Sequence, residues 1–157
     1  MEPAFRIAEE PDTELLLEFM REFYEYDRIP FDVQVARSAL RGIINDGSRG
    51  RVWLIHLGGG PVGYAVLTLG YSLEFHGRDA ILDELFIREP HRGRGAGKQT
   101  LKFIESACGE LGVRALHLVV GRENIKAQSF YRKIGFQAQD RYLMTKWVAP
   151  ETIKERD

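Results

Sequence analysis

Ile81–Lys98, ILDELFIREPHRGRGAGK, is the stretch on which the reading of this chain turns. Ile81, Leu82, Leu85, Phe86 and Ile87 have the β-branched and aromatic character of a buried strand, and Pro90 stops its ladder, so the strand ends near Arg88. Arg92, Gly93, Arg94, Gly95, Ala96 and Gly97 follow; small residues there let backbone N–H groups converge without Cβ obstruction, which makes an anion nest. From Gly97 onward Leu101, Ile104, Cys108 and Leu111 recur at spacings of three and four, giving a helix whose positive end faces the turn. Strand, nest and helix dipole together point to a phosphate.

Two phosphate motifs are excluded by spacing. Lys98 is followed by Gln99 and the glycines are misplaced for Gly-x-x-x-x-Gly-Lys-Ser/Thr, so a mononucleotide P-loop does not fit. Gly93 and Gly95 lack the third glycine of Gly-x-Gly-x-x-Gly, because position 98 is lysine. What Arg92, Gly95 and Gly97 match is Arg/Gln-x-x-Gly-x-Gly/Ala. Sixteen glycines in 157 residues make such short patterns by chance, so the context matters. It includes the Leu-Phe-Ile-x-x-x-His-Arg-Gly strand exit, Val120-Gly121-Arg122-Glu123-Asn124, and the run Ala127–Phe136, which matches Asn-x-x-Ala-x-x-Phe-Tyr-x-x-x-Gly-Phe from Asn124 onward.

On these residues the C-terminal half resembles the GNAT superfamily of N-acetyltransferases, and the strand LDELFI resembles its diamine acetyltransferase subgroup. The resemblance implies an α/β (α+β) fold with a mixed central sheet of about seven strands flanked by about four helices, in the order β-α-α-β-β-β-α-β-α-β-β. It implies acetyl-coenzyme A as cofactor. Leu85, Phe86 and Ile87 would offer main-chain groups to the pantetheine arm and the oxyanion, Arg92, Gly93, Arg94, Gly95, Ala96 and Gly97 would hold the pyrophosphate, and Asn124 would touch the arm. A plain N-cap role for Asn124 is compatible with that contact.

Acetyl transfer to an amine needs a neutral nucleophile and a stabilised leaving thiolate. Tyr131, seven residues after Asn124 on the same helical face, sits where the family places a tyrosine that donates its proton to the sulfur. A thiol titrates near about 8.5 and a phenol near about 10, so a phenol can stabilise the thiolate and reprotonate it. Asp83 and Glu84 stand mid-strand among apolar residues, a costly place for charge unless a cleft or a purpose is present. Alternation sends them to opposite faces unless the strand is bulged. Glu84 is favoured as the carboxylate nearest the substrate and Asp83 is second; a structural arginine pair is the competing role for each. Tyr24 and Glu25, in Tyr24-Glu25-Tyr26-Asp27, combine aromatic and acidic character suited to a cationic amine, against the alternative of a solvated helix end.

The remaining chain reads in order. Pro3 to Ala8 is a first strand, and Asp12 caps a helix carrying Leu16, Phe19, Met20 and Phe23. Asp32 caps a second helix with Val35, Ala36, Ala39, Leu40 and Ile43, which stops before Asn45-Asp46-Gly47. Arg51 to Leu57 and Val62 to Tyr71 form a hairpin across Gly58-Gly59-Gly60-Pro61, and Ser72 to Asp79 is a loop. Ala115 to Val120 is a buried strand parallel to the one at Ile81 and splayed from it. Asn124 to Ile134 is a helix stopped by Gly135, Phe136 to Gln139 and Tyr142 to Val148 make a closing hairpin, and the charged tail Glu151 to Asp157 frays.

At 18.0 kDa, with 44% hydrophobic residues, residues 1–157 have material for one domain and one core. A net charge of −1 argues against a nucleic-acid partner. No stretch approaches the roughly 20 apolar residues of a membrane span, and the start MEPAFRIAEE lacks a signal peptide's pattern, so a cytoplasmic protein with no membrane partner is expected. Cys108 packs in the core, and the four histidines show no metal-ligand spacing, so no metal is expected. The expected function is N-acetyl transfer to a small-molecule amine. A protein lysine or N-terminus as acceptor, and a non-catalytic acyl-coenzyme A sensor, are the alternatives. Homodimers are common in the resembling family, and the apolar hairpin at Tyr142 to Val148 offers an interface.

Overall fold

Three long strands and two short ones form a single sheet because the middle of this chain is apolar on both sides of the pleat. In the computed structural model, which describes residues 2–149, β1 (Ala4–Ile7), β2 (Gly50–Leu57), β3 (Gly60–Ser72), β4 (Gly77–Ile87) and β5 (Ala115–His117) lie in the order β1-β2-β3-β4-β5. The first four are antiparallel neighbours, and β5 runs parallel to β4. The helices are α1 (Thr13–Tyr26), α2 (Val33–Ile44), α3 (Ala96–Glu110) and α4 (Ile125–Lys133).

Alternation along β2 divides the core in two. Val52 and Leu54 pack with Leu16, Phe19 and Met20 of α1 and Leu40 of α2; Trp53 and Ile55 pack with Leu101, Ile104 and Cys108 of α3. A strand buried on both faces reads as a continuous apolar run, as VWLI does. Each fully buried large side chain contributes about 1.5–3 kcal/mol, so the sheet is held by helices on both faces rather than by its ladder alone. Cys108 is buried, and burial first and the charge of Glu105 second push its thiol up, which suits packing and not nucleophilic chemistry.

Several expectations need correcting. The first helix begins where expected, but the Asp12 carboxylate does not cap it: it accepts from Arg6 at 2.8 and 3.0 Å and from the Glu9 N–H at 2.8 Å, in a 3₁₀ turn. Asp32 does cap α2, accepting from the N–H groups of Gln34 and Val35. The central strand starts at Gly77 instead of Ile81, so Asp79 is a strand residue, and its carboxylate meets His117 of β5 at 3.1 Å. The last parallel strand ends at His117 instead of Val120.

Among the described residues the sheet has five strands, because the closing hairpin does not form: residues 136–149 carry no strand, and residues 137–149 make no backbone–backbone hydrogen bond. Its propensities are those of a strand, yet a strand also needs a ladder partner and a surface to cover, and propensity supplies neither. The charged tail expected at Glu151 to Asp157 lies outside the described residues. No helix among the described residues is long and apolar enough to cross a membrane.

Candidate active site

The site arises where β4 and β5 part. Their pairing covers only Asp79–Ile81 against Ala115–His117; beyond it the chains diverge, and a cleft of about 270 Å³ opens between Leu82–Ile87 and Leu118–Gly121. Asn124, Ala127 and Tyr131 of α4 form one wall, and Phe23, Tyr26 and Asp27 at the end of α1 another, with Arg92 beside them. Parallel strands that separate leave main-chain donors and acceptors facing the gap, and such groups are unfavourable unless something bonds to them. An amide-bearing chain fits that need.

A one-residue bulge places the carboxylates. Val66 of β3 faces Glu84 and Leu67 faces Leu82, so Asp83 is the extra residue. The bulge flips the phase of the pleat: Leu82, Leu85 and Ile87 pack on the α3 side, while Phe86 joins α1. Glu84, two residues before Phe86, turns the same way and reaches two tyrosines. Tyr64 Oη donates to Glu84 Oε1 at 2.6 Å, and Tyr24 Oη donates to Glu84 Oε2. Asp83 and Glu84 thus line one cleft, the outcome that strict alternation forbids.

The electrostatics follow from this placement. Burial raises Glu84 above the ordinary carboxylate range, the two tyrosine hydrogen bonds partly counter it, and the nearby charge of Asp83 adds to the rise. Desolvation also raises Asp83, at the cleft mouth. Tyr131 is raised by burial, so it stays protonated and able to donate at neutral pH. Tyr64, almost wholly enclosed and facing a carboxylate, is raised further still.

The basic turn has the geometry of an anion site. Gly93 and Gly95 hold φ of 75° and 85°, which other residues adopt only with strain, and a Cβ at either would meet no atom within 4 Å. Gly95 stands at the N-cap of α3 with no side chain to accept from the helix start, so the N–H groups of Ala96, Gly97 and the next residue face outward. A pyrophosphate fits this donor set. The Arg92 side chain turns back: its Nε donates to the Ile87 carbonyl at 2.5 Å, and its guanidinium lies 5.0 Å from the Tyr26 ring and 5.5 Å from that of Phe86. It braces the strand exit. Arg94 is exposed on the same turn.

The structure therefore gathers Asp83, Glu84, Leu85, Phe86, Ile87, Arg92, Asn124 and Tyr131 around one cleft, with Gly93–Gly97 following the exit of β4. Asn124 accepts from the Ala127 N–H at 3.2 Å, so it caps α4 while lining the cleft. Tyr24 approaches through Glu84. Glu25 is exposed and does not line the cleft; Tyr26, about 100° further round α1, lines it instead, with Asp27 just past the helix end. Tyr64 escaped the sequence reading. Its signal was present: a tyrosine inside the apolar run Val62–Leu69 must find a partner for its hydroxyl. Among the described residues, no three His, Cys, Asp or Glu side chains are grouped to hold a metal ion.

Comparison with known proteins accords with this geometry. A thialysine N-epsilon-acetyltransferase from Bos taurus is 27% identical over 144 residues, covering 84% of this chain and 82% of that one. The structure of an integron cassette protein from a salt-marsh metagenome superposes with a TM-score of 0.82 at 33% identity, covering 94% of this chain and 91% of the other. An aminoglycoside N-acetyltransferase solved in complex with CoA shares the fold, with a TM-score of 0.77 at 15% identity and coverage of 94% and 96%. The model of the acetyltransferase (GNAT) family matches residues 13–136, most of the chain, and with the loop, the splayed strands and the cleft in place the protein belongs to the GNAT family of acetyltransferases.

Proposed function

We propose that this enzyme transfers the acetyl group of acetyl-CoA directly to a primary amine of a small molecule, both substrates being bound together. The observation that carries the reading is Glu84: a bulge turns it into the cleft, two tyrosines fix its carboxylate, and burial raises its proton affinity. A base tuned upward toward the working pH accepts a proton more readily than an ordinary carboxylate. Acetyl-CoA supplies an activated thioester. The main chain of Leu85–Ile87 bonds to the pantetheine amides and polarises the reacting carbonyl, and the turn from Arg92 to Gly97 binds the pyrophosphate.

Glu84 takes the proton from the amine, directly or through water, as the N–C bond forms. Tyr131 gives its proton to the sulfur as the C–S bond breaks, and regains one from solvent. Asp83 at the mouth is the second carboxylate, suited to draw a cationic amine inward. Asp27 and the Tyr26 ring extend that surface on α1. The bovine relative is named a thialysine N-epsilon-acetyltransferase, which supports a small-molecule amine over a protein acceptor. The cytoplasm as setting and a homodimer as the active form belong to the same proposal.

The experiment is free-thiol release from acetyl-CoA against polyamines, amino acids carrying side-chain amines, aminoglycosides and lysine peptides. Turnover confined to one small-amine class, slowed about 10²–10⁴-fold by Glu84→Gln with CoA binding retained, is expected. Turnover on peptides alone, or none on any acceptor, would overturn the small-amine reading.

A further inference from the structure

β1 is shorter than the strand it pairs with, and the mismatch leaves a groove on the α3 side of the sheet. Its last ladder pair is Ile7 with Trp53, and once the Ala8 N–H has bonded to the Val52 carbonyl the chain turns away into the 3₁₀ turn. Arg51 therefore has β3 on one flank, opposite Leu67, and no strand on the other. Arg51 and Trp53, two apart on one strand, share the face that α3 covers. On α3, Phe103 and Leu111 lie two turns apart on one side, with Glu110 next to them. The groove between helix and strands measures about 390 Å³ and has no lining residue in common with the cleft. Ligand pockets run from roughly 300 to 1,000 Å³, so a small molecule fits.

The floor of the groove is aromatic and fixed. Trp53 is only 6% exposed, its ring meets that of Phe103 edge-on at 5.3 Å, and Phe103 is backed by Phe5, stacked at 4.3 Å. A buried indole N–H ordinarily finds an acceptor, yet that of Trp53 has none among the described residues, and its Nε1 is not sealed from solvent. A group entering the groove can supply one. Charge marks the rim. The Arg51 guanidinium uses Nη1 on the carbonyls of Gly47 and Gly50, the second at 2.8 Å, and forms no ion pair among the described residues, so Nε and Nη2 keep donors to give. Glu110 is exposed and is likewise in no ion pair among the described residues. One cation and one anion, not neutralised by each other, thus border one apolar floor. A hydrocarbon would answer neither charge, a plain carboxylate would leave Glu110 unmatched, and a plain amine would leave Arg51 and the indole N–H unmatched.

We propose that this groove is a second ligand site, apart from the cleft, for a free amino acid with an apolar body. The carboxylate bonds to the Arg51 guanidinium and the Trp53 N–H, the ammonium faces Glu110, and the apolar body lies against Trp53, Phe103 and Leu111. The site is independent of the acetyl-transfer reading, since none of these residues lines the cleft.

The test reads Trp53 fluorescence in the full chain carrying Trp147→Phe, which removes the second of the two tryptophans. Phenylalanine and leucine are titrated with and without saturating CoA, beside 3-phenylpropanoate, which lacks the ammonium, and phenethylamine, which lacks the carboxylate. A saturable change with either amino acid, unmoved by CoA, is expected, and each half-charged analogue should bind about tenfold more weakly or worse. Arg51→Gln and Glu110→Gln should each weaken amino-acid binding by about the same factor. Arg51→Gln also loses its bonds to the Gly47 and Gly50 carbonyls, so Glu110→Gln, on an exposed helix surface, keeps the test independent of that loop. No saturable change with either amino acid overturns the proposal. So does displacement by CoA, an analogue that binds as tightly as phenylalanine, or Glu110→Gln binding like the parent.

Discussion

The two ends of β4 obey different rules. From Gly77 to Ile81 the strand is the closed half, with Asp79, Ala80 and Ile81 paired to both β3 and β5 and the Asp79–His117 contact across the parallel seam. From Asp83 to Ile87 it keeps only β3, and the other flank faces the cleft. The closed end gains stability from its ladder and from apolar packing. The open end gives up a neighbour, places a carboxylate among apolar residues, and is braced from outside by the Arg92–Ile87 bond and by Arg88, whose guanidinium meets Glu22 of α1 at 2.9–3.2 Å over the Phe19 ring. One strand thus serves as scaffold over half its length and as binding surface over the other half. The bulge at Asp83 is the border.

Substitutions should separate the halves. Glu84→Gln at the open end is expected to lower kcat about 10²–10⁴-fold, and Tyr131→Phe about 10²-fold, each leaving CoA affinity near that of the parent by calorimetry. Leu67→Ala, opposite Leu82 and fully buried, should do the reverse: about 2–5 kcal/mol lost in denaturant unfolding, with KM of the folded fraction unchanged. Gly95→Ala lies between, with about 1–2 kcal/mol of strain from its positive φ and a raised KM for acetyl-CoA.

Acidity gives a finer division. Because Glu84 is raised, activity should climb with pH through an inflection above the ordinary carboxylate range. Tyr24→Phe, which removes a hydrogen bond favouring the charged form, should move that inflection higher. Stability should respond with the opposite sign. Between the unfolded carboxylate value of about 4.3 and the raised folded one, the native state binds more protons, so stability falls as pH rises through that window. Glu84→Gln escapes the penalty, and its melting temperature at pH 7 should equal or exceed that of the parent, the gap closing toward pH 4.

How much of this was legible in the sequence depends on where the controlling contact lies. The turn from Arg92 to Gly97 and its helix are local: Pro90, the glycines and the three-and-four spacing of Leu101, Ile104 and Cys108 specify them within a few residues. The splay of β4 from β5 came from the resemblance, and pairing that stops at Ile81–His117 agrees with it. The bulge was not legible, because it is a mismatch of register with β3 and neither strand records it alone. Tyr64 was hidden for the same reason, its partner being twenty residues away. At the C-terminus the strand expected at Tyr142–Val148 is absent, because propensity names a preference and supplies no partner.

The central claim is that the gap at the open end of β4 receives the cofactor's amide arm. Amide hydrogen exchange with and without acetyl-CoA tests it most directly. Slowed exchange confined to Leu85–Ile87, the Gly93–Lys98 turn and Leu118–Gly121, with Gly77–Ile81 unchanged, is the predicted result. Saturating acetyl-CoA that protects none of those amides, or protects the closed end equally, would contradict it.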